Sequence, residues 1–246
     1  MTDPKYPFSG RVRFSEVDED GILTLYHLIN YLQDCSSFHA EDRGVGIDDS
    51  RKKGYGWVLI NWKIHIARYP RLGETITVKT WPYRFRSCLG QRNFSIEDEN
   101  GKDLVHADSD WVMVDLKTRK AANIGEDQIS AYGIYPELQL KDDFGGRKVH
   151  LLPGGVEKPS FTIEEHHLDT NHHVNNAEYF RMAQRFLPIG FRAGRIRAEY
   201  RLETLLGESL TPEVLQTEHG YQVTLKGADG KPHFVSEWDE RPAGLL

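Results

Sequence analysis

Cysteine is scarce in this sequence, with only Cys35 and Cys88 among 246 residues. Domains that depend on disulfides carry more, so we interpret both as reduced thiols and expect a cytoplasmic protein. A long apolar run is also lacking, and the mean hydropathy of -0.57 is typical of a soluble chain. Residues 1–10 contain one lysine and no apolar core, so neither a signal peptide nor a transit peptide is predicted.

The motifs of several common chemistries are missing as well. Four histidines form two adjacent pairs without the spacing of zinc ligands: His166, His167, His172 and His173. No Gly-x-Ser-x-Gly sequence is present, which disfavours an α/β-hydrolase mechanism. A net charge of -6 argues against nucleic acid as the main partner. We therefore expect no metal, no cofactor, no nucleic acid and no membrane.

The most informative stretch begins at Leu168 and combines two side-chain periods. Asp169, Asn171 and His173 alternate, so an extended chain would project all three to one side. The spacing then becomes helical, with an apolar stripe formed by Tyr179, Met182, Ala183 and Phe186 before Pro188 ends the helix.

Asn175 and Asn176 stand where the period changes, and asparagine is a good helix N-cap. Free backbone N–H groups at a helix start can stabilise an oxyanion, so both are candidate substrate-binding residues. Ordinary capping explains the same residues without catalysis, and local chemistry alone favours neither interpretation.

The pattern Asp-x-Asn-x-His-Val-Asn-Asn at residues 169–176 resembles the active-site motif of acyl-acyl carrier protein (acyl-ACP) thioesterases, enzymes of plant plastids and bacteria. Further stretches agree with this family in order: Trp111–Val114 with Thr118-Arg119, Glu199–Glu203, and Glu237-Trp238. The resemblance covers nearly the whole chain. It implies an α+β tandem (double) hot-dog fold, in which two antiparallel sheets lie side by side and each wraps around a central helix.

The first half shows one helix followed by a run of strands, which is the order of a hot-dog domain. The helix is predicted from Leu25, Leu28, Ile29 and Leu32, with Gly44 as its end. Strands are predicted at Arg11–Phe14, Val58–Ile66, Thr75–Pro82, Ser87–Glu97 and Lys102–Asp115. We interpret Asp48–Gly56 as a loop and Asp98–Gly101 as a hairpin turn.

A glycine-rich passage within Lys117–Pro159, after a second helical patch, is the predicted linker. Residues 1–145 are then an N-terminal domain and residues 146–246 a C-terminal one. The halves show a faint repeat, because Val17-Asp18-x-Asp20 lines up with Leu168-Asp169-x-Asn171, and Leu72–Thr75 with Leu206–Ser209.

The two halves of the repeat differ at a polar residue that carbonyl chemistry would need. Ile22 stands in the first half where the second has His173, so the first copy lacks an imidazole. We expect one active site per chain, in the second half. The first half is then free to form an acyl-chain pocket, with Leu25, Leu28, Ile29 and Leu32 as its wall. Each of the four is equally suited to an ordinary core.

The resemblance implies hydrolysis of a thioester. Asp169 is the candidate carboxylate, acting as a base for water or as a nucleophile, while Asn171 and His173 position and polarise the substrate. Glu203 matches a catalytic position of the family, and a strand from Ile196 to Glu203 would lay it beside the helix start. An exposed charge at a strand end is the alternative interpretation for this residue.

Plant members commonly carry a cysteine directly after this glutamate, whereas this chain has Thr204. A Cys–His–Asn arrangement is therefore not available here. We therefore predict a mechanism in which carboxylates carry the chemistry.

The segment from Arg181 to Arg201 is basic in an acidic chain. It contains six arginines, Arg181, Arg185, Arg192, Arg195, Arg197 and Arg201, against the single acid Glu199, and Arg51, Lys52 and Lys53 extend the predicted patch. The resemblance implies acyl carrier protein as partner, which is acidic and carries the acyl chain on a phosphopantetheine arm, so the patch would steer it. Scattered surface ion pairs are the alternative.

Two other functions stay open from the sequence. The substrate could be an acyl-coenzyme A, because the chemistry is the same. The chain could also be a non-catalytic acyl-binding module, although binding alone does not require two carboxylates beside a thioester. Both a monomer and a homodimer are compatible with a chain that already contains an internal repeat.

Overall fold

The computed structural model of the protein describes residues 4–143 and 145–241. The chain forms two compact units. Unit 1 holds the described residues of Met1–Ile60 together with Ala67–Asp143, and unit 2 holds Asn61–Ile66 with the described residues of Phe144–Leu246. Residues 61–66 of the first half thus belong to unit 2, because they pair with a strand of the second half.

Unit 1 is an antiparallel sheet with one long helix. Its strands are β1 (Tyr6–Arg11), the first part of β2 (Tyr55–Ile66), β3 (Thr75–Arg86), β4 (Leu89–Asp98) and β5 (Asp103–Asp115), and its helices are α1 (Leu25–Asp42), α2 (Ile47–Lys53) and α3 (Glu126–Tyr132). β1 pairs with β3, β3 with β4 and β4 with β5, all antiparallel.

The hairpin between β4 and β5 turns where the sequence predicted it. Oδ1 of Asp98 accepts hydrogen bonds from the backbone N–H of Asn100 and of Lys102, both at 2.9 Å. Gly101 takes a φ of 77°, which glycine adopts without strain. The predicted turn is confirmed.

Helix α1 is the centre of unit 1. It begins after Thr24, whose Oγ1 accepts a hydrogen bond from the backbone N–H of His27, and the chain turns away at Gly44 with a φ of 71°. The helix contacts β1 and β3. The side chains of its inner face are exposed by at most 2%: Leu25, Leu28, Ile29, Leu32 and Cys35. The predicted helix is confirmed, and the four predicted wall residues lie in the core of unit 1.

Unit 2 has the same plan with a shorter helix. Its strands are the remainder of β2 (Asn61–Ile66), β6 (Val156–Glu157), β7 (Phe161–Thr162), β8 (Ala193–Tyr200), β9 (Ser209–Gln216), β10 (Gly220–Lys226) and β11 (Pro232–Glu240), and its helix is α4 (Asn176–Gln184). The strand order is β2-β8-β11-β10-β9-β6, and β7 pairs with β9. Among the described residues, no helix of either unit is long and apolar enough to cross a bilayer.

Helix α4 packs on the sheet of unit 2 through aromatic rings. The ring of Tyr179 stacks on that of Phe234 at 5.3 Å, and Phe180 meets Trp238 edge-on at 5.9 Å. The predicted stripe is confirmed within the helix. Phe186 lies beyond the end of α4 and is only half-buried, because the helix stops at Gln184.

Two local predictions in the first half are wrong. The predicted loop at Asp48–Gly56 contains α2, which buries no residue and therefore shows no apolar period. Acidic residues in its first turn and basic residues in its last turn match the helix dipole. The first strand runs over Tyr6–Arg11 and not Arg11–Phe14, because its register is set by pairing with Thr75–Thr80 of β3.

A buried histidine stands near the C-terminal end of α1. The ring of His39 stacks on Tyr6 at 4.7 Å, its Nδ1 lies 3.0 Å from Nη1 of Arg92, and the residue is only 1% exposed. Burial, together with the neighbouring guanidinium of Arg92, lowers the pKa of His39 from 6.5 to about 3. The imidazole is therefore neutral in the folded protein.

This neutral histidine predicts a loss of stability in acid. Between pH 6.5 and about 3 the unfolded chain binds a proton at His39 that the folded chain does not. Each pH unit lost in this window therefore costs up to about 1.4 kcal/mol of unfolding free energy. In urea titrations at several pH values, His39→Gln should show a flatter dependence than the wild type. The exposed His219→Gln control should keep the wild-type slope, and parallel curves for His39→Gln would contradict the assignment.

Candidate active site

The predicted motif of unit 2 lies in a tight turn. The backbone N–H of Asp169 donates to the carbonyl of His173 at 2.8 Å, and that of His172 donates to the carbonyl of Asp169 at 3.1 Å. Oδ1 of Asp169 accepts from the backbone N–H of Asn171 at 2.8 Å and of His173 at 3.4 Å. The predicted extended arrangement of these three residues is wrong, because the aspartate bonds its own backbone and closes an Asx turn.

The turn leaves polar groups accessible. Asn171 is exposed at its tip, and Asp169 is half-buried. Among the described residues, no hydrogen bond to Oδ2 of Asp169 is present, so one carboxylate oxygen holds the turn and the other can face a ligand.

The helix start that follows the turn is capped as predicted. Oδ1 of Asn175 accepts from the backbone N–H of Ala177 at 2.8 Å, while its own backbone N–H donates to the carbonyl of His167 at 2.9 Å. Asn176 is the first residue of α4, and its carbonyl accepts from the hydroxyl of Tyr200 at 3.0 Å. Capping therefore accounts for Asn175, and a substrate-binding role of both asparagines stays a prediction.

Tertiary structure brings His173 and Glu203 together. Nε2 of His173 lies 3.3 Å from Oε2 of Glu203, and the two side chains are 34% and 43% exposed. Glu203 is not on a strand as predicted, because β8 ends at Tyr200 and the glutamate follows in the connecting segment. A backbone bridge between His173 and Leu205 aligns the turn with this segment. The pair is thus both fixed in place and open to a substrate.

Unit 1 contains the same turn without this pair. Oδ1 of Asp18 accepts from the backbone N–H of Asp20 at 3.0 Å and of Ile22 at 3.1 Å, and Ile22 bridges to Arg71. The backbone bond from Leu23 to the carbonyl of Pro70 corresponds to the bond from Val174 to Thr204 in unit 2. By this register the counterparts of His173 and Glu203 are Ile22 and Tyr69. The inference of one site per chain therefore has a structural basis.

The two turns also differ at the residue that requires a positive φ. Gly21 takes a φ of 70° in unit 1, whereas His172 takes a φ of 62° in unit 2. A residue other than glycine in this region costs on the order of 1–3 kcal/mol, and such strain is concentrated at functional sites.

Beside the pair lie three hydrogen-bonded polar side chains that the sequence did not predict: Tyr179 and Thr204 are buried, and His233 is half-buried. The hydroxyl of Tyr179 donates to Oγ1 of Thr204 at 2.9 Å, and Oγ1 of Thr204 lies 2.8 Å from Nδ1 of His233. Burial raises the pKa of Tyr179 to about 12, so the phenol stays a protonated donor at neutral pH. Tyr179 was predicted only as part of an apolar stripe, and no local pattern marks His233.

Two arginines of the predicted basic patch, Arg197 and Arg201, are paired with acids in the structure. Arg197 donates to Glu237 at 2.8 Å and to the carbonyls of Gly146 and Lys148, and Arg201 donates to Glu199 at 2.9 Å and to the carbonyl of Val149. Glu237, 40 residues away, and Glu199, two residues away, therefore offset the charges of these two arginines, and the three carbonyls accept their other hydrogen bonds. In unit 1, Lys53 pairs with Asp49 and Asp127 in the same way. Among the six arginines, Arg181 and Arg185, at the C-terminal end of α4, are exposed, and Nη2 of Arg181 lies 2.7 Å from Oε2 of Glu178.

An open groove lies in unit 2 next to the turn. It is lined by Ile163, Glu164, Glu165, His166, Leu206 and Gly207. Leu206, one of the lining residues, directly follows the residue that bridges to His173. Within residues 4–143 and 145–241, no cluster of three or more His, Cys, Asp or Glu side chains is placed to hold a metal ion.

Known proteins resemble this chain in both sequence and fold. The FATB2 acyl-[acyl-carrier-protein] hydrolase of Cuphea viscosissima chloroplasts is 29% identical over 231 residues, covering 87% of this chain and 49% of the relative. The chloroplastic palmitoyl-acyl carrier protein thioesterase of Cuphea hookeriana is 28% identical over 231 residues, with the same coverage of 87% and 49%. The chain thus spans about half the length of these curated relatives.

A solved structure extends the likeness to the whole fold. An acyl-ACP thioesterase from Bacteroides thetaiotaomicron superposes with a TM-score of 0.85 and 28% identity, covering 97% of this chain and 98% of that one. The predicted tandem hot-dog fold is confirmed by this match and by the antiparallel sheet and central helix of each unit. The family model described as the acyl-ACP thioesterase N-terminal domain matches residues 4–132, more than half of the chain. The chain belongs to the acyl-ACP thioesterase family.

Proposed function

We propose that this protein is a thioester hydrolase that releases free fatty acid from fatty acyl-ACP, at the site in unit 2. The observation that carries the proposal is the half-exposed pair of His173 and Glu203, which stands where unit 1 has Ile22 and Tyr69. The two relatives from Cuphea are named as an acyl-ACP hydrolase and a palmitoyl-ACP thioesterase, and the protein from Bacteroides as an acyl-ACP thioesterase.

The chemistry of a thioester suits these groups. Its carbonyl is already activated, so the site needs a base for water and stabilisation of the oxyanion. In our proposal Oδ2 of Asp169 takes a proton as water attacks the carbonyl carbon. The oxyanion is stabilised by the amide of Asn171, and the positive end of the α4 dipole, where Asn175 and Asn176 lie, favours the same charge. The carbon–sulfur bond then breaks, and the proton held by Asp169 passes by way of His173, which Glu203 orients, to the leaving thiolate.

The proposed substrate carrier is acyl carrier protein, which presents the acyl chain on a phosphopantetheine arm. The exposed Arg181 and Arg185 are the arginines of the predicted patch best placed to meet its acidic surface. Both cysteines are free, which fits the reducing cytoplasm that we propose as its location.

Hydrolysis tests the proposal directly. The purified chain, incubated with palmitoyl-ACP and in parallel with palmitoyl-coenzyme A, should release palmitate from the ACP substrate with a kcat/KM at least about tenfold higher, a difference of about 1.4 kcal/mol. Equal or better turnover of the coenzyme A substrate would point to an acyl-CoA thioesterase. Binding of palmitoyl-ACP without release would identify an acyl-binding module.

Asp169 offers a sharper test, because its turn exists twice in the chain. Asparagine keeps the carbonyl oxygen that closes an Asx turn but removes the charge. We therefore expect Asp169→Asn to fold with little change in melting temperature and to lose about 100-fold or more in kcat, as for removal of a general base. Asp18→Asn in unit 1 makes the same change in the same turn and should keep wild-type turnover. Full activity of a folded Asp169→Asn variant would leave Asp169 with a purely structural role.

The acyl-pocket prediction for unit 1 has its own test. If Leu25, Leu28, Ile29 and Leu32 line the end of the pocket, Ile29→Ala should shift the released products towards longer chains. Ile96→Ala truncates an equally buried isoleucine in β4, and either change costs about 2–5 kcal/mol of stability. Only the Ile29 variant should change the product lengths measured by gas chromatography. An unchanged spectrum in a folded Ile29→Ala protein would place the wall elsewhere.

A further inference from the structure

Tyr179, Thr204 and His233 form a chain of hydrogen bonds in unit 2, and packing of the core does not by itself require polar side chains at these positions. Tyr179 is 3% exposed and Thr204 is fully buried. Its two contacts, at 2.9 and 2.8 Å, join helix α4 and strand β11 through one threonine hydroxyl. Glu203, the proposed partner of His173, is the residue directly before that threonine. This chain of hydrogen bonds therefore attaches to the segment that carries Glu203.

Unit 1 shows that the fold does not need these polar groups. The carbonyl of Leu104 accepts from the backbone N–H of Ala67 and Arg68, as that of His233 accepts from Arg201 and Leu202. This register makes Leu104 the counterpart of His233, and Pro70 that of Thr204. Aligning the two helix starts in the same way makes Leu28 the counterpart of Tyr179. Where the His–Glu pair is absent, all three polar positions are apolar, yet the backbone bonds of the segment persist.

In unit 2 the segment is held from several sides. The carbonyl of Thr204 accepts from the backbone N–H of Val174 at 3.1 Å, next to His173. The carbonyl of His233 accepts from Arg201 at 2.8 Å and from Leu202 at 3.3 Å. The side-chain bond between Thr204 and His233 adds a second attachment at the other end of the same short segment. Glu203 lies between the two attachments.

We propose that Thr204 and His233 are positioning residues, which fix the segment 201–205 so that Glu203 meets His173. The inference rests on the proposed function, because it assigns a purpose to the placement of Glu203. The threonine hydroxyl has a single proton. In this proposal the hydroxyl accepts from Tyr179 and donates its proton to Nδ1 of His233, which holds His233 in the tautomer with its proton on Nε2. The three groups act as one directional chain.

Removing the hydroxyl while keeping the shape tests this role. Thr204→Val should lower kcat about 10- to 100-fold and change KM by less than about twofold, because a small displacement of a catalytic group costs that much in rate. Thr204→Ser restores the hydroxyl and should recover most of the lost kcat. Thr224→Val removes the hydroxyl of a threonine in β10 that is 1% exposed, and should leave kcat within about twofold of wild type.

A double variant tests whether Thr204 acts through Glu203. Glu203→Gln should lower kcat, and adding Thr204→Val to it should lower kcat by less than about twofold more, because the positioned carboxylate is already gone. The ring nitrogens of His233, observed by NMR in the full chain, should show the Nε2–H tautomer in wild type and lose this preference in Thr204→Val.

The outcomes separate the two proposals. Wild-type kcat in a folded Thr204→Val protein would overturn the positioning role and leave the thioesterase proposal standing. The same would follow from an equal loss in Thr224→Val, or from a full additional loss in the Glu203→Gln background. Absence of thioesterase turnover in the wild type would overturn both proposals, even if the NMR tautomer is as expected.

Discussion

The structure depends on an aspartate that bonds to its own backbone. In each unit one carboxylate oxygen accepts from the N–H groups two and four residues ahead, and this closes a turn directly before the central helix. The turn directs the fourth residue towards the segment that enters the next strand, so Ile22 bridges to Arg71 and His173 to Leu205. Helix start, turn and strand entry are thereby held together within each unit.

The same interaction explains why Asp18 is present in a unit without the His–Glu pair. An aspartate found in both copies has a structural task in both, whatever else it does in one of them. The two copies differ at the polar side chains that we assign to the site. Ile22 corresponds to His173 and Tyr69 to Glu203, and Tyr179, Thr204 and His233 have apolar counterparts. Unit 2 thus adds polar groups to a backbone framework that unit 1 builds with apolar ones.

The run of arginines in the sequence does not produce an equally basic surface in the folded protein. Alternate residues of β8 carry arginines, and the neighbouring strand β11 supplies Glu237 opposite Arg197. The segment that includes Gly146 and Lys148 uses the same guanidinium as an anchor for its carbonyls. Arg197 in β8 therefore acts as an internal cross-link, and the two exposed arginines of the patch lie at the C-terminal end of a helix.

The sequence by itself determined the elements whose signals are local. Neighbouring residues create these signals. The sequence therefore predicted the apolar period of α1, the Asn-Gly turn at 98–101, the cap at Asn175 and the succession of strands in the first half. Helix α2 was missed since it buries nothing. The motif turn was predicted as extended chain, since the pattern does not show that the Asp169 side chain accepts from backbone N–H groups two and four residues ahead. Only tertiary structure decided that Glu203 reaches His173, that His233 joins Thr204, and that Arg197 is neutralised. Those contacts join residues 29 to 51 positions apart in sequence, and only the folded arrangement of strands, turn and connecting segments brings such residues within hydrogen-bond distance.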